Sequence, residues 1–494
     1  MSIQETLRKL QAEVAKGMGD NALQKALTTT SNIVNYDLQA PAKNLYPVIT
    51  PLRNRIPRVM GNGGRATNWK AIYGITGSGV TSMGWVPEGQ RSGRQNYSAI
   101  DKSASYRTLA EEDNITEEAI NAAIGFEDAM ARMTMRLLQG TMIKEELGIL
   151  AGNASTALGT PTAPTLTASG SGATLPAATY SVIVVALTLE GYLASSLANG
   201  LQQVVSITGA DGKSYSLNGG SSNKSTNATQ AVTLGQTLFA STPAIAGALA
   251  YAWFVGTAGS EKLEAITTIN SAAFSAPLLG TGQAATAITA DCSRNQNVAW
   301  DGLLYTALAA GSGAYVKTMA TGTSGTGTPL TAGGRRNISE IDVMLQSLWD
   351  NYRLSPTVML VNSRELMNIT TKIMNTSSTP LLLTGQNDPY AVVANGQVTG
   401  YFNPFTAGQG GLVIPFVLHP NVPPGTMMAW CENLPAQYQS NETPNVAEMH
   451  IRKDYVQTFW PQVTRTRDVG VYVEETFACY LPQAMGVITN IANG

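Results

Sequence analysis

The feature that most constrains this chain is a long block almost without charge. Between Thr160 and Ala290 only Glu190, Asp211, Lys213, Lys224, Glu261, Lys262 and Glu264 are charged, and no arginine occurs between Arg136 and Arg294. Inside the block, the β-rich runs Tyr180 to Thr188, Gln202 to Thr208, Ala250 to Val255 and Leu263 to Ile269 alternate with Gly, Ser, Asn and Thr clusters. That alternation predicts an antiparallel sandwich. Pro161 and Pro164 mark its approach and Pro277 its exit. The sequence on either side has a different style, so the block reads as a module set into a host. A chain of 494 residues is in any case too long for one continuous core.

The host reads as mixed α and β. Apolar residues at Ile115, Ala119, Ala122, Phe126, Met130, Met133 and Leu137 draw one stripe along a helix predicted from Asn114 to Ala151. Asn114 with Glu117 resembles a capping box, and Gly152 can close the far end. Such a helix would be a rod of about 55 Å, whose packing falls on Phe126, Met130, Met133 and Leu137. Upstream, Arg65 to Thr108 reads as two long strands joined by the polar tip GWVPEGQRSGRQNYS, a hairpin that needs a neighbour to be stable. Downstream, Ile338, Ile341, Leu345, Leu348 and Tyr352 predict a helix stopped by Ser355 and Pro356, followed by a buried strand over Thr357 to Val361. Val469 to Ile488 carries apolar runs around Pro482. The N-terminal stretch reads as a short amphipathic helix without the apolar core of a signal peptide. No stretch approaches the roughly 18 uninterrupted apolar residues of a membrane span, so no membrane contact is expected.

A search for chemistry returns little. The net charge of −2 gives no global attraction to nucleic acid. Cys292, Cys431 and Cys479 are widely spaced and read as buried free thiols. His419, before Pro420, and His450, in a strand-like run, sit in no motif. The common phosphate-loop, zinc and serine-nucleophile patterns are absent, and the glycine-rich run from Thr321 reads as a flexible loop. Glu145/Glu146 and Glu474/Glu475 read as solvated or ion-paired surface residues, because sequence neighbours diverge on a helix or strand. No catalytic residue, cofactor or metal is expected. Arginines gather at Arg53, Arg55, Arg58 and Arg65, and again at Arg91 and Arg94 on the hairpin tip. Bidentate pairing with carboxylates of a neighbouring subunit is the functional reading of both groups.

The order of elements resembles that of the major capsid proteins of tailed phages, whose fold is shared by encapsulins and the herpesvirus capsid floor. The residues that carry the resemblance are Trp85-Val86-Pro87-Glu88-Gly89 in the extended loop, Tyr106 to Ala110 with Thr116-Glu117-Glu118 before the spine helix, and Glu145-Glu146 through Asn153 at its end. Pro356 to Asn362, Val417 to Met428 and Asp468 to Ile488 resemble the later strands. The block at 160–290 resembles immunoglobulin or fibronectin type III modules through Tyr180 to Ala186, Glu190-Gly191-Tyr192 and Tyr251 to Val255.

The resemblance implies an α+β fold with an N-terminal arm at 1–44, a peripheral domain at 45–64 and an extended hairpin at 65–108. A spine helix and second peripheral part follow at 109–159, then the inserted all-β sandwich at 160–290, an axial domain at 291–440 and closing peripheral strands at 441–494. It implies a non-catalytic virion shell protein, assembled in the host cytoplasm into hexamers and pentamers around double-stranded DNA. Portal, scaffold and decoration proteins are the implied partners, and contacts between subunits fall on Trp85, Glu88, Arg91, Arg94, Arg53, Arg55 and Arg58. An encapsulin compartment and a β-rich surface adhesin are the alternatives. Arginines in place of a tip lysine, with Lys70 and Lys102 nearer the base, argue against covalent cross-linking.

Overall fold

The computed structural model describes residues 48–61, 63–77, 85–334, 337–375, 384–385, 388–392, 398–406, 411–434 and 445–492. The expected N-terminal amphipathic helix lies outside them. The chain divides into two compact units, one containing Ile115–Met133 and the other Val48–Asn114 with Thr134 onward.

The predicted single helix is broken. Arg107–Thr116 is a strand, and helix α1 spans only Glu117–Ala122. Thr116, not Asn114, caps it, its hydroxyl accepting the Ala119 amide at 3.2 Å. A turn then passes through Gly125 at φ +89°, a left-handed conformation that glycine adopts without steric cost. Asp128 restarts the helix by accepting the amides of Met130 and Ala131 at 3.0 and 3.1 Å, the N-cap arrangement. Helix α2 therefore covers Ala129–Ala151, about 35 Å of rod. Phe126 lies in the turn and Met130 is only half-buried, whereas Met133 and Leu137 are buried. The stripe continues at four-residue steps through Thr141, Glu145 and Ile149, all buried.

The charge-poor block folds into two antiparallel sheets. One has the order Ser271–Phe274, Thr237–Ser241, Thr165–Ser169; the other has the order Lys262–Thr267, Ala250–Gly256, Ala178–Leu187, Ala228–Val232. Val182, Val184, Leu238, Trp253 and Phe274 form the core between them. A second cluster, with Val185, Leu187, Phe254 and Leu263, covers the other face of the larger sheet. Ala178–Leu187 and Ala250–Gly256 are thus buried on both faces, which explains why they read as continuous apolar runs. Val204–Thr208 and Ser214–Asn218 pair separately as a hairpin.

This module is fused to its host. Leu189, which opens helix α3 (Leu189–Ala194), and Leu249 belong to the same core as Ile149, Leu303 and Tyr305. The fully buried Tyr305, on helix α4 (Leu303–Leu308), accepts the Leu189 amide at 2.9 Å and donates to the Gly247 carbonyl at 3.3 Å. The glycine-rich run expected to be a flexible loop is held as well. A bridge joins Thr323 to Gly327, and the Gly325 amide donates to Ser271 Oγ at 2.9 Å.

Among the described residues the host has two sheets of more than two strands. The six-stranded one runs Tyr315–Thr318, Met485–Thr489, Met427–Trp430, Val358–Val361, Leu412–Leu418, Gly400–Asn403. Helix α5 (Ser339–Tyr352) contributes Ile341, Met344, Leu345 and Leu348 to a core with Met359, Val361, Met427 and Ile488. It ends at Arg353, which is left-handed at φ 55°, two residues ahead of Ser355. Helix α6 (Ser363–Asn375) follows the central strand. Met485–Thr489 sits inside this sheet between Tyr315–Thr318 and Met427–Trp430, so the last described strand pairs with strands of segment 291–440. The four-stranded sheet runs Arg58–Met60, Ala447–Phe459, Thr466–Cys479, Arg107–Thr116, with the first pair parallel. The hairpin Ala66–Gly77/Gln95–Ser105 is paired along its length, with a bulge between Ile72 and Gly74.

Candidate functional site

Helix α2 brings Glu145 and Glu146 into the body of the molecule, where their side chains are 0% and 1% exposed. The surface reading of this pair is overturned because the stripe of Met133 and Leu137 continues through Glu145. Adjacent residues on a helix point about 100° apart, so the two carboxylates meet different partners. Glu146 accepts the Leu52 amide on Oε1 at 2.9 Å and the Arg53 amide on Oε2 at 2.7 Å. His419 Nε2 lies 2.8 Å from the same Oε1, while His419 Nδ1 accepts the Asn421 amide at 3.2 Å. An accepting Nδ1 leaves Nε2 as the donor, so the imidazole is a neutral donor to Glu146.

Glu145 is held by side chains alone. Arg53 Nε donates to its Oε2 at 2.7 Å, Arg58 donates to its Oε1, and the Tyr455 hydroxyl donates to Oε2. Both guanidinium groups stand over the Tyr455 ring, 5.4 and 5.2 Å from its centre. Burial, then the neighbouring Glu145 carboxylate, raises the Tyr455 phenol above its ordinary range.

Glu475 completes the cluster from strand Thr466–Cys479. It is buried, whereas its neighbour Glu474 is partly exposed and pairs with Arg452 at 2.6 Å. No hydrogen-bond donor among the described residues reaches either oxygen of Glu475. Arg58 Nη2 is 3.4 Å from Oε2, beyond good hydrogen-bond range, and is also 3.2 Å from Asp454. Burial first, then the Glu145 charge, pushes the Glu475 carboxyl up to about 8 against the opposing pull of Arg58 and Arg53.

Arg53 and Arg58 therefore meet their carboxylates inside the chain, and Arg55 pairs with Glu432 at 2.9 Å. These pairings anchor residues 50–58 within the chain. Chemically the cluster binds a chain segment. Among the described residues no group of three or more His, Cys, Asp and Glu is arranged to hold a metal ion.

Of the residues expected at contacts between subunits, those of the hairpin tip are exposed, as is Arg55. Trp85 is 87% exposed, and Glu88, Arg91 and Arg94 are exposed around a turn closed by the Gln90 amide on the Pro87 carbonyl at 3.1 Å. Ile72, Tyr97 and Ile100 are exposed along the ribbon. Its base is fixed by an edge-to-face contact of Trp69 with Tyr480 and by Thr67 Oγ1 against the Tyr106 hydroxyl.

Sequence reasoning missed Glu145, Glu146, Glu475, His419 and Tyr455. One signal was present: Thr141 and Glu145 continue the four-residue steps of Met133 and Leu137, which places a carboxylate in a buried stripe. His450 is half-buried, with its Nε2 2.7 Å from the Tyr480 hydroxyl. All three cysteines are buried free thiols. No helix among the described residues is long and apolar enough to cross a membrane.

The chain matches no protein-family profile and no curated protein. Among solved structures it is similar to a chain from Mycobacterium phage Bobi, at 10% identity over 95% of this chain and 98% of that one, with a TM-score of 0.40. A second, described as the capsid of an empty GTA particle, gives 8% identity over 94% and 99%, with a TM-score of 0.43. The holo-SrpI encapsulin complex from Synechococcus elongatus PCC 7942 gives 8% identity over 93% of both chains, with a TM-score of 0.38. Along nearly its whole length, then, the chain is similar in structure to phage, GTA-capsid and encapsulin chains.

Proposed function

We propose that the chain is the major shell subunit of a tailed-phage head, a non-catalytic protein whose copies close into hexamers and pentamers around double-stranded DNA. The observation that carries this reading is the hairpin Ala66–Gly77/Gln95–Ser105. A two-stranded ribbon is marginal in water, and this one exposes Ile72, Trp85, Tyr97 and Ile100. A second copy of the chain is the natural surface to cover them, with Arg91, Arg94 and Glu88 pairing at the rim. The resemblance of Trp85 to Gly89 and of the later strands to the capsid family supports the same reading.

The block at 160–290 is an immunoglobulin-like sandwich built into the subunit. Leu52 to Met60, Arg107 to Asn114 and Thr134 to Ala151, with the pair Ala447–Phe459 and Thr466–Cys479, belong to the peripheral domain. Residues 291–440 with Met485–Thr489 form the axial one. A separate portal, and scaffold or decoration proteins, complete a particle assembled in the bacterial cytoplasm.

Negative-stain microscopy of the purified protein tests the proposal. Uniform closed shells are the expected result, and a monodisperse monomer under all assembly conditions overturns it. Shells that form around a protein cargo and never hold nucleic acid would favour the encapsulin reading.

A further inference from the structure

We propose that Glu475 holds the one removable proton of the buried arginine–glutamate cluster, and that this proton keeps residues 50–60 seated, so that its loss frees the segment. The inference does not depend on the shell reading. Its basis is the distribution of donors. Glu146 is saturated by two backbone amides and His419, and Glu145 by Arg53, Arg58 and Tyr455. Nothing is left for Glu475, whose two oxygens are buried without a donor.

A neutral imidazole leaves two guanidinium cations facing three buried carboxyl groups. A buried carboxylate that no hydrogen-bond donor reaches is strongly disfavoured, which favours a proton on one carboxyl of the three. Glu475 is the one that lacks donors, and its proton can be donated to the Glu145 carboxylate beside it. The outward charges do not alter this count, since Asp454 is largely exposed at the rim of Arg58.

Ionisation sets Glu475 and Glu145 in competition for Arg58, whose Nη2 already lies 3.4 Å from Glu475. The strand that carries Arg58 can yield. Arg58–Met60 is a three-residue strand that, among the described residues, pairs with Met449–Ile451 alone. The turn before it is held to α2 through the Glu146 carboxylate. Loss of one proton thus acts on the short segment from Leu52 to Met60.

Hydrogen exchange on the full-length chain, corrected for intrinsic rates, tests this. Protection of the peptide spanning Leu52 to Met60 should fall at least tenfold between about pH 6 and about pH 9, while the Val358–Val361 strand stays protected. Glu475→Gln, which imitates the protonated acid, should keep protection flat across that range, and Glu474→Gln should follow the wild type. Equal protection of the wild type at both pH values, or a parallel loss in Glu475→Gln, overturns the proposal. Should Glu475→Gln fail to fold, infrared difference spectra of the wild type decide. The carbonyl stretch of a protonated buried carboxyl must be present near neutral pH and vanish on the alkaline side, and its absence at neutral pH refutes the assignment.

Discussion

Asn270 and Asn490, at opposite ends of the second half of the chain, clasp each other inside the protein. Asn490 Oδ1 accepts the Asn270 amide at 2.8 Å, and its Nδ2 donates to Asn270 Oδ1 at 3.1 Å and to the Met319 carbonyl at 2.7 Å. Asn490 reaches these partners from a left-handed backbone at φ 61°, where asparagine is better tolerated than other residues with a side chain. Both side chains are buried. Asn490→Ala leaves three buried polar groups unpaired and should cost about 2–4 kcal/mol; urea denaturation followed by tryptophan fluorescence measures it.

The same junction bears on the sandwich as a whole. Excision of Pro161 to Pro277 behind a short linker removes Leu189 and Leu249 from the host core and strips Tyr305 of both hydrogen-bond partners. The truncated chain is expected to be insoluble or molten rather than assembly-competent. Recovery of a cooperatively folding deletion variant would show that the module is separable after all.

Glu146→Ala should be among the most destabilising single substitutions, by about 3–5 kcal/mol. It leaves the Leu52 and Arg53 amides and His419 facing an empty buried space. Glu146→Gln retains one acceptor oxygen and is expected to lose less. Comparison of the two midpoints in a denaturant series checks the order.

On helix α2 the broken register makes its own prediction. Met133→Ala should cost about 2–4 kcal/mol as a buried large-to-small change, and Met135→Ala, at a position 58% exposed, less than about 1 kcal/mol. Phe126, in the turn, should fall between them. Equal losses at Met133 and Met135 would contradict the helical face described above.

For Glu475 the sign of the pH dependence follows from linkage. Its folded carboxyl is raised from 4.5 to about 8 by burial and by Glu145, so the folded state binds the proton more tightly than the unfolded chain. The stability it contributes is complete below about pH 4.5 and is lost as pH rises through about 8. His450 acts in the opposite direction: burial lowers it from 6.5, so its contribution is lost as pH falls below that value. Above about pH 7 the wild-type melting temperature should therefore decline with pH, and that of Glu475→Gln should not.

Charge reversal at both Arg91 and Arg94 addresses the hairpin tip. Particle yield should collapse while the circular dichroism of the subunit is unchanged, because both side chains are exposed. Normal particle counts from the double variant would remove the tip from the assembly contact.

What the sequence determined alone is local or compositional. The charge-poor block, with apolar runs punctuated by small polar residues, specified a β module because strand pairing is the way such runs bury themselves. Helix α5 was legible because Ile341, Leu345 and Leu348 repeat at the helical period with no competing signal. The break before α2 was harder to see, since the three-and-four spacing runs unbroken through Phe126. It was decided by Gly125 and the cap at Asp128 rather than by periodicity. Burial of Glu146 and Glu475 belonged entirely to the tertiary structure, and that of Glu145 was signalled only by the stripe it shares with Met133 and Leu137. A carboxylate enters a core only where donors meet it, and the donors here come from Leu52, Arg53, Arg58, His419 and Tyr455, which no local pattern links to the glutamates. Coulomb and hydrogen-bond energies act through space over a few ångströms, so only the packed chain could reveal which of its charges are paired.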